Sequence, residues 1–330
     1  MLISWNTTRA CNQACEHCYR DAGTKQEDEL STAEGLGLIE EIAAAGFRIM
    51  VFSGGEPLLR DDIFDLMAHA RQCGLRSVLG TNGTLIDTSV AGHLKQVRVA
   101  RAGISLDSTD EQAHDQFRRM PGAWKQAVEG MRNCQQVGLP FQVHTTVTAR
   151  NAPILQDLID FAESIGAAAH HIFFLVPTGR GKQLESEALD AEQYEQLLDD
   201  ILEKQRHTAM EIKPTCAPQF MRIAAQKGMD LRFTKGCLAG TAYCVIIPNG
   251  DVNPCPYLPV KVGNVRETPF SQLWRESPVF ATLRQAQVGG VCGRCKYQAI
   301  CGGCRARAYY HSDGDFMAED PWCAYGRAMS

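Results

Sequence analysis

Three thiols fall within eight residues at Cys11-Asn12-Gln13-Ala14-Cys15-Glu16-His17-Cys18, a C-x3-C-x2-C spacing. Thiolates crowded onto one short loop can hold three corners of a 4Fe–4S cluster. The fourth iron then stays open to a small molecule bearing an amine and a carboxylate. The same crowding also suits a zinc knuckle. A second set of chemical groups stands at Ser53-Gly54-Gly55-Glu56-Pro57. Two glycines let the backbone approach a ligand closely, and Glu56 offers a carboxylate to a ligand ammonium group. Read alone, this run is also an ordinary turn from strand to helix.

Eight further cysteines lie between positions 237 and 323: Cys237-x6-Cys244-x10-Cys255, then Cys292-x2-Cys295-x5-Cys301-x2-Cys304, then Cys323. Eight thiolates are the number that two fully ligated 4Fe–4S clusters require. The C-x2-C pairs alone would also fit zinc ribbons. Fourteen cysteines in a chain with no export signal at its start point to metal ligands in a reducing compartment rather than to disulfides. Of the three that stand apart, Cys73 and Cys134 sit near helix ends and read as packing. Cys216, in Pro214-Thr215-Cys216-Ala217-Pro218, is a candidate catalytic thiol that donates a hydrogen atom or touches substrate, or else a small buried hydrophobe.

These groups need a scaffold, and the chain supplies one in alternating pieces. Strands are expected at 2–7, 48–52, 76–80, 98–106, 140–148 and 170–176, and helices near 32–45, 60–73, 87–95, 123–137 and 153–164. Ser31 and Glu34 form a capping box for the first helix, with Gly46, Gly74 and Gly138 at helix ends. Repeated strand–helix units imply parallel strands with right-handed crossovers. Six units are too few for a closed eight-stranded barrel, so an open, partial (β/α)6 barrel is expected, with ligands beyond the carboxyl ends of its strands. A polar helix follows at 188–207, and the pattern breaks at Lys213-Pro214. The expected organisation is a core over 1–207, a linker over 208–236 and a small cysteine-rich domain over 237–330, held by metal rather than by a core.

The formal net charge of -5 gives no basic surplus for nucleic-acid binding, and no apolar run is long enough to span a membrane. Nothing resembles a targeting segment, so the expected location is the cytoplasm.

The Cys11–Cys18 loop followed one unit later by Gly54-Gly55-Glu56 resembles the radical S-adenosylmethionine (SAM) superfamily. The resemblance implies that Cys11, Cys15 and Cys18 ligate a cluster and that Gly54, Gly55 and Glu56 hold the methionine end of SAM. Ser105 and Asp107, at the end of the fourth strand, stand where this superfamily contacts the SAM ribose; a helix N-cap is the other reading. His17 resembles an aromatic position near adenine, and Asn82 shapes the loop after the third strand. The C-terminal cysteines, with Gly250 five residues before Cys255, resemble the SPASM extension. That family's interleaved pattern implies Cys237, Cys244, Cys255 and Cys304 for a first auxiliary cluster and Cys292, Cys295, Cys301 and Cys323 for a second. The expected cofactors are thus three 4Fe–4S clusters and SAM, fed by a one-electron reductant such as ferredoxin or flavodoxin.

Substrate choice follows a closer resemblance. Ser4-Trp5-Asn6-Thr7-Thr8, Tyr19-Arg20-Asp21-Ala22-Gly23, Cys301-Gly302-Gly303-Cys304-Arg305-Ala306-Arg307-Ala308 and Ala318-Glu319-Asp320-Pro321-Trp322-Cys323 are similar to radical SAM proteins of heme d1 (the NirJ group) and alternative heme biosynthesis. The resemblance implies a tetrapyrrole substrate, derived from siroheme, whose propionates are removed or oxidised. Arg180, Arg305 and Arg307 are candidate partners for its carboxylates. His144, on a polar face with Gln142, Thr146 and Thr148, is a candidate for a substrate carboxylate or macrocycle metal, or an interior histidine like His170 and His171. The rival reading is a SPASM maturase acting on a ribosomally made peptide; the leader-gripping domain such an enzyme often carries is not expected ahead of Leu2.

Overall fold

The computed structural model describes residues 1–327. Seven strands lie parallel and in chain order: β1 (Leu2–Asn6), β2 (Ile49–Ser53), β3 (Arg76–Thr81), β4 (Arg101–Ser105), β5 (Phe141–Val147), β6 (Ala169–Phe174) and β7 (Glu211–Thr215). The helices between them are α1 (Thr32–Ala44), α2 (Ile63–Gln72), α3 (Thr88–Gln96), α4 (Glu111–Arg118), α5 (Ala123–Gln136), α6 (Leu155–Ser164) and α7 (Ala191–Gln205), with α8 (Gln219–Gln226) after β7. Each crossover returns the chain to start its next strand at the same end of the sheet. Alternation sets the faces: Ile3 and Trp5 on β1, Met50 and Phe52 on β2, and Ile104 on β4 are all fully buried. The expected capping box at Ser31 and Glu34 starts α1.

The sheet then grows from its other edge. β8 (Tyr243–Ile246) pairs parallel with β1, and β9 (Asp251–Asn253) and β10 (Gly263–Asn264) add antiparallel strands outside it. The order is therefore β10-β9-β8-β1 through to β7, and the barrel stays open. Five short helices follow among the described residues: α9 (Phe270–Glu276), α10 (Pro278–Gln285), α11 (Gly290–Arg294), α12 (Arg305–His311) and α13 (Ala324–Arg327).

Two expectations change. The stretch 208–236, expected as a linker, carries β7 and α8, with Ala169 opposite Glu211 and Ile172 opposite Pro214. Pro214 is tolerated because β7 is an edge strand, where a missing N–H costs no ladder bond. The C-terminal segment is also not held by cysteines alone. Phe270, Trp274 and Phe280 join the main hydrophobic core, with the rings of Phe47 and Trp274 5.0 Å apart. Among the described residues no helix is long and apolar enough to cross a membrane.

Candidate active site and metal centres

The groups expected to do chemistry gather beyond the carboxyl ends of the parallel strands. The loop with Cys11, Cys15 and Cys18 follows β1, and Gly54-Gly55-Glu56 follows β2. The two loops are bonded together: Gly55 N donates to Thr8 O and Glu56 N to Ala10 O, both at 2.7 Å. The glycines are required by this contact. A Cβ on Gly55 would lie 2.2 Å from Ala10 O, and one on Gly54, whose φ is 146°, would lie 2.6 Å from Thr8 O.

Glu56 is fully buried, and its carboxylate accepts from Thr81 Oγ1 (2.8 and 2.9 Å), Asn82 N (2.8 Å) and Leu58 N (3.1 Å). Burial raises its pKa to about 7 against these hydrogen bonds. Asn82 Nδ2 also donates to Asn12 Oδ1 at 2.7 Å, so the end of β3 ties the carboxylate to the cysteine loop.

Asp107 is buried and committed. Its Oδ2 accepts from Arg118 Nε and Nη2, each at 2.7 Å, and its Oδ1 from Thr146 N at 2.8 Å. Burial opposes its ionisation, but Arg118 beside it holds the carboxyl below the usual range. Only 2 % of its surface is exposed, and both of its oxygens already accept bonds from within the protein. Ser105, half-buried, donates to Thr81 O at 3.3 Å. His17 stacks on Phe117 with ring centroids 4.3 Å apart, and burial, then Arg118, lowers its pKa to about 3, so the ring is neutral.

Backbone amides point at the sulfurs. Gln13 N reaches Cys11 Sγ at 3.4 Å and Ala22 N reaches Cys18 Sγ at 3.5 Å, while Arg118 Nη1 reaches Cys15 Sγ at 3.7 Å. In the C-terminal segment Tyr257 N, Tyr297 N and Asp320 N reach Cys255, Cys295 and Cys292 at 3.4 Å, and Gly326 N reaches Cys323 at 3.3 Å. Donors aimed at sulfur suit thiolates that carry iron, where such bonds tune the cluster. Cys292, Cys295, Cys301 and Cys323 all line one pocket. Among the described residues no three His, Cys, Asp or Glu side chains close on a single metal ion.

Cys237, Cys255 and Cys304 are mutual electrostatic neighbours, but Cys244 does not join them. It is fully buried on β8 within the main core, where strand alternation aims its side chain away from that of Tyr243. Cys134 is likewise buried in that core, as expected for packing.

The expected carboxylate partners are largely engaged in structure. Arg307 is fully buried against Asp320, Arg305 Nη1 donates to Phe316 O and Ala318 O, and Arg180 donates to Cys15 O and Ala22 O. Arg20, which sequence reasoning did not single out, is less engaged than they are, since Arg180 and Arg305 leave only Nη2 unpaired. Its Nε and Nη2 are buried without a partner, and its neighbours are Tyr19, Tyr243, Cys255 and Cys18. It thus stands between the N-terminal cysteine loop and the first C-terminal set. His144 is interior: Gln142 Nε2 lies 2.6 Å from its Nε2, and its ring stacks on His171 at 5.5 Å. His170 is fully buried and pairs with Thr145 Oγ1 at 2.8 Å.

Comparison with known proteins agrees with this geometry. Residues 5–164 match the Radical SAM superfamily, and residues 237–305 match the SPASM iron-sulfur cluster-binding domain. The chain is 42% identical to the AdoMet-dependent heme synthase of Oleidesulfovibrio alaskensis, over 98% of this chain and 87% of that protein. It is 32% identical to the pre-heme d1 synthase of Dinoroseobacter shibae, over 86% of this chain and 75% of that one. In fold it resembles Streptococcus suis SuiB bound to S-adenosylmethionine, with a TM-score of 0.78 at 16% identity over 98% of this chain and 77% of SuiB. The chain belongs to the radical SAM enzymes that carry a SPASM iron–sulfur domain.

Proposed function

We propose that this enzyme oxidises propionate side chains of an iron tetrapyrrole. The observation that carries the reading is the 42% identity, over nearly the whole chain, to a heme synthase. The barrel end supports it by leaving Arg20 with unpaired donors between the two cysteine groups. The maturase reading has weaker support, because the mycofactocin maturase MftC of Mycobacterium ulcerans is 30% identical over 86% of this chain, against 42% over 98% for the heme synthase, and the likeness to SuiB is one of fold alone.

Cys11, Cys15 and Cys18 would hold three irons of the N-terminal cluster, with Gly54, Gly55 and Glu56 on the amino end of SAM. Ser105 is the candidate for the ribose, and His17 with Phe117 for the adenine. When bound, SAM and the reduced cluster supply a 5′-deoxyadenosyl radical able to take hydrogen from an unactivated carbon. Two auxiliary 4Fe–4S clusters in the C-terminal segment would receive the substrate's electron, and a ferredoxin- or flavodoxin-class reductant would feed the N-terminal one. The substrate change balances simply: a propionate becomes a vinyl group by losing one hydrogen atom, carbon dioxide and one electron. Arg20 would hold a propionate through charge-assisted hydrogen bonds, and the surrounding tyrosines would exclude water from it.

The test is anaerobic reconstitution, metal and sulfide analysis, and assay of SAM cleavage with and without an iron porphyrin bearing several propionates. Stimulated cleavage, with product lighter by carbon dioxide and two hydrogens per side chain, is expected. Cleavage unmoved by tetrapyrroles but raised by a peptide would turn the reading to the rival.

A further inference from the structure

A 4Fe–4S cluster with no open iron needs four protein ligands. Cys237, Cys255 and Cys304 provide three, and family resemblance names Cys244 as the fourth. The sheet argues against it. Tyr243 and Cys244 are neighbours on β8, so their side chains leave opposite faces. Tyr243 turns toward the barrel end, bonding Ser4 Oγ at 2.8 Å with Cys255 and Tyr19 among its neighbours. Cys244 therefore points into the main core, where Arg284 is its charged neighbour and no cysteine is.

Cys216 stands where Cys244 does not. It follows β7 directly and packs in one small apolar cluster with Cys255 and Cys304. Its φ is 58°, a left-handed conformation that a residue with a side chain adopts only when its surroundings impose it. Two contacts impose it here. Arg307, three residues past Cys304, donates to Cys216 O. Gly236, immediately before Cys237, is packed so tightly on Pro218 that a Cβ there would lie 2.5 Å from Pro218 Cβ. The turn bearing Cys216 is thus fastened to the segments bearing Cys304 and Cys237. The titratable neighbours of its thiol are Cys304, Cys255, Arg307 and Cys237.

We propose that Cys216, and not Cys244, is the fourth thiolate of the first auxiliary cluster. This rests on the reading that the C-terminal cysteines hold iron–sulfur clusters. The cluster is then fully ligated, with no iron open to substrate, and anchored to the last strand of the barrel. Cys216 is accordingly a metal ligand rather than a hydrogen donor.

The test compares the full-length wild type with Cys216→Ser, Cys216→Gly and Cys244→Ala, each reconstituted anaerobically. Cys216→Gly relaxes the positive φ and removes any side-chain ligand, whereas serine keeps the native Cβ with a hydroxyl in place of the thiol. Iron, sulfide and zinc are counted, and EPR spectra are taken after reduction and after mild oxidation. The expected result is an unchanged spectrum and iron content for Cys244→Ala. Both Cys216 variants should lose up to about a third of the iron, or give a 3Fe–4S signal on oxidation that the wild type lacks. Cys216 variants matching the wild type, or loss of a cluster signal in Cys244→Ala, would overturn the proposal. Zinc in place of auxiliary iron in the wild type itself would instead refute the underlying cluster reading.

Discussion

Arg118 Nη1 lies 3.7 Å from the sulfur of Cys15, while Nε and Nη2 of the same side chain grip Asp107 Oδ2 at 2.7 Å. The guanidinium is almost wholly buried, so its field reaches the thiolate with little screening. A cation beside a cluster ligand favours the reduced, more negative state of the cluster. Replacing Arg118 by Met should therefore lower the N-terminal cluster's reduction potential and slow SAM cleavage with a weak reductant. Lysine, which keeps the charge, should restore part of the potential. Potentiometric EPR titration of the three proteins checks this, and equal potentials would refute it. The Met variant also leaves Asp107 buried and unpaired, a loss of about 3–5 kcal/mol in stability.

Arg118 also shows where sequence reading stopped. The six core strands were legible because apolar residues alternate with a fixed period, and the cysteine and glycine loops because thiols and glycines carry their own spacing. Helix α4, which bears Arg118, Phe117 and His114, was missed: it is eight residues long and mostly polar. Its role comes from a contact with Cys15, 103 residues away, and no local pattern encodes that. β7 hid behind Pro214, because a proline signals a break unless the strand is known to be an edge. The arginines of the Cys301–Ala308 run were visible, but their partners were not. Asp320 claims Arg307, and carbonyls of the following turn claim Arg305.

The Arg307–Asp320 pair, through its bonds to Tyr194, Cys216 O and Gln219, fastens the C-terminal segment to the barrel. Both side chains are fully buried, and Asp320 also accepts from Cys304 N at 2.7 Å and Gln219 Nε2 at 2.8 Å. Asp320→Ala strands a buried guanidinium and should cost about 3–5 kcal/mol. Denaturant unfolding under anaerobic conditions measures it, together with iron loss from the C-terminal sites. A loss below about 1 kcal/mol would mean that the pair contributes little net.

Gly55 leaves no room for even a methyl group. A Cβ there would meet backbone, Ala10 O at 2.2 Å and Arg9 O at 2.7 Å, so the neighbour cannot rotate away. Gly55→Ala should push the cysteine loop off its position at a cost of about 1–3 kcal/mol. SAM cleavage should fall to background, with the N-terminal cluster partly lost and the auxiliary EPR signals unchanged. Full activity in that variant would show that the loop contact is not needed.

With Glu56 on the SAM ammonium, as proposed, SAM binding takes a pH dependence of fixed sign. Burial raises its carboxyl to about 7 from the usual 4.5. A raised carboxyl pKa contributes stability that is fully present below 4.5 and lost as pH rises through 7. A ligand ammonium reverses that loss by pairing with the ionised form. SAM should thus bind more tightly above pH 7 than below it, by up to about tenfold per unit, with a proton released on binding. Calorimetry in buffers of different ionisation heat reads the proton directly. Glu56→Gln should bind weakly with no such dependence, and an unchanged pH profile would remove Glu56 from the site.

Arg20 offers the sharpest separation between SAM chemistry and substrate recognition. Its free Nε and Nη2 lie near Cys18 on one side and Cys255 on the other, whereas Arg180 and Arg305 leave only Nη2 unpaired and Arg307 is fully bonded within the protein. A lost charge-assisted contact to a carboxylate is worth about 1.5–3 kcal/mol, which is roughly a 10- to 150-fold rise in KM. Arg20→Gln should show that rise for a propionate-bearing iron porphyrin. Its cleavage of SAM without substrate should match the wild type, because no bond from Arg20 supports the cysteine loop. If KM is unchanged while basal cleavage falls, Arg20 serves the cluster rather than the substrate. Arg20→Lys should recover only part of the affinity, since an ammonium cannot present the two parallel donors of a guanidinium.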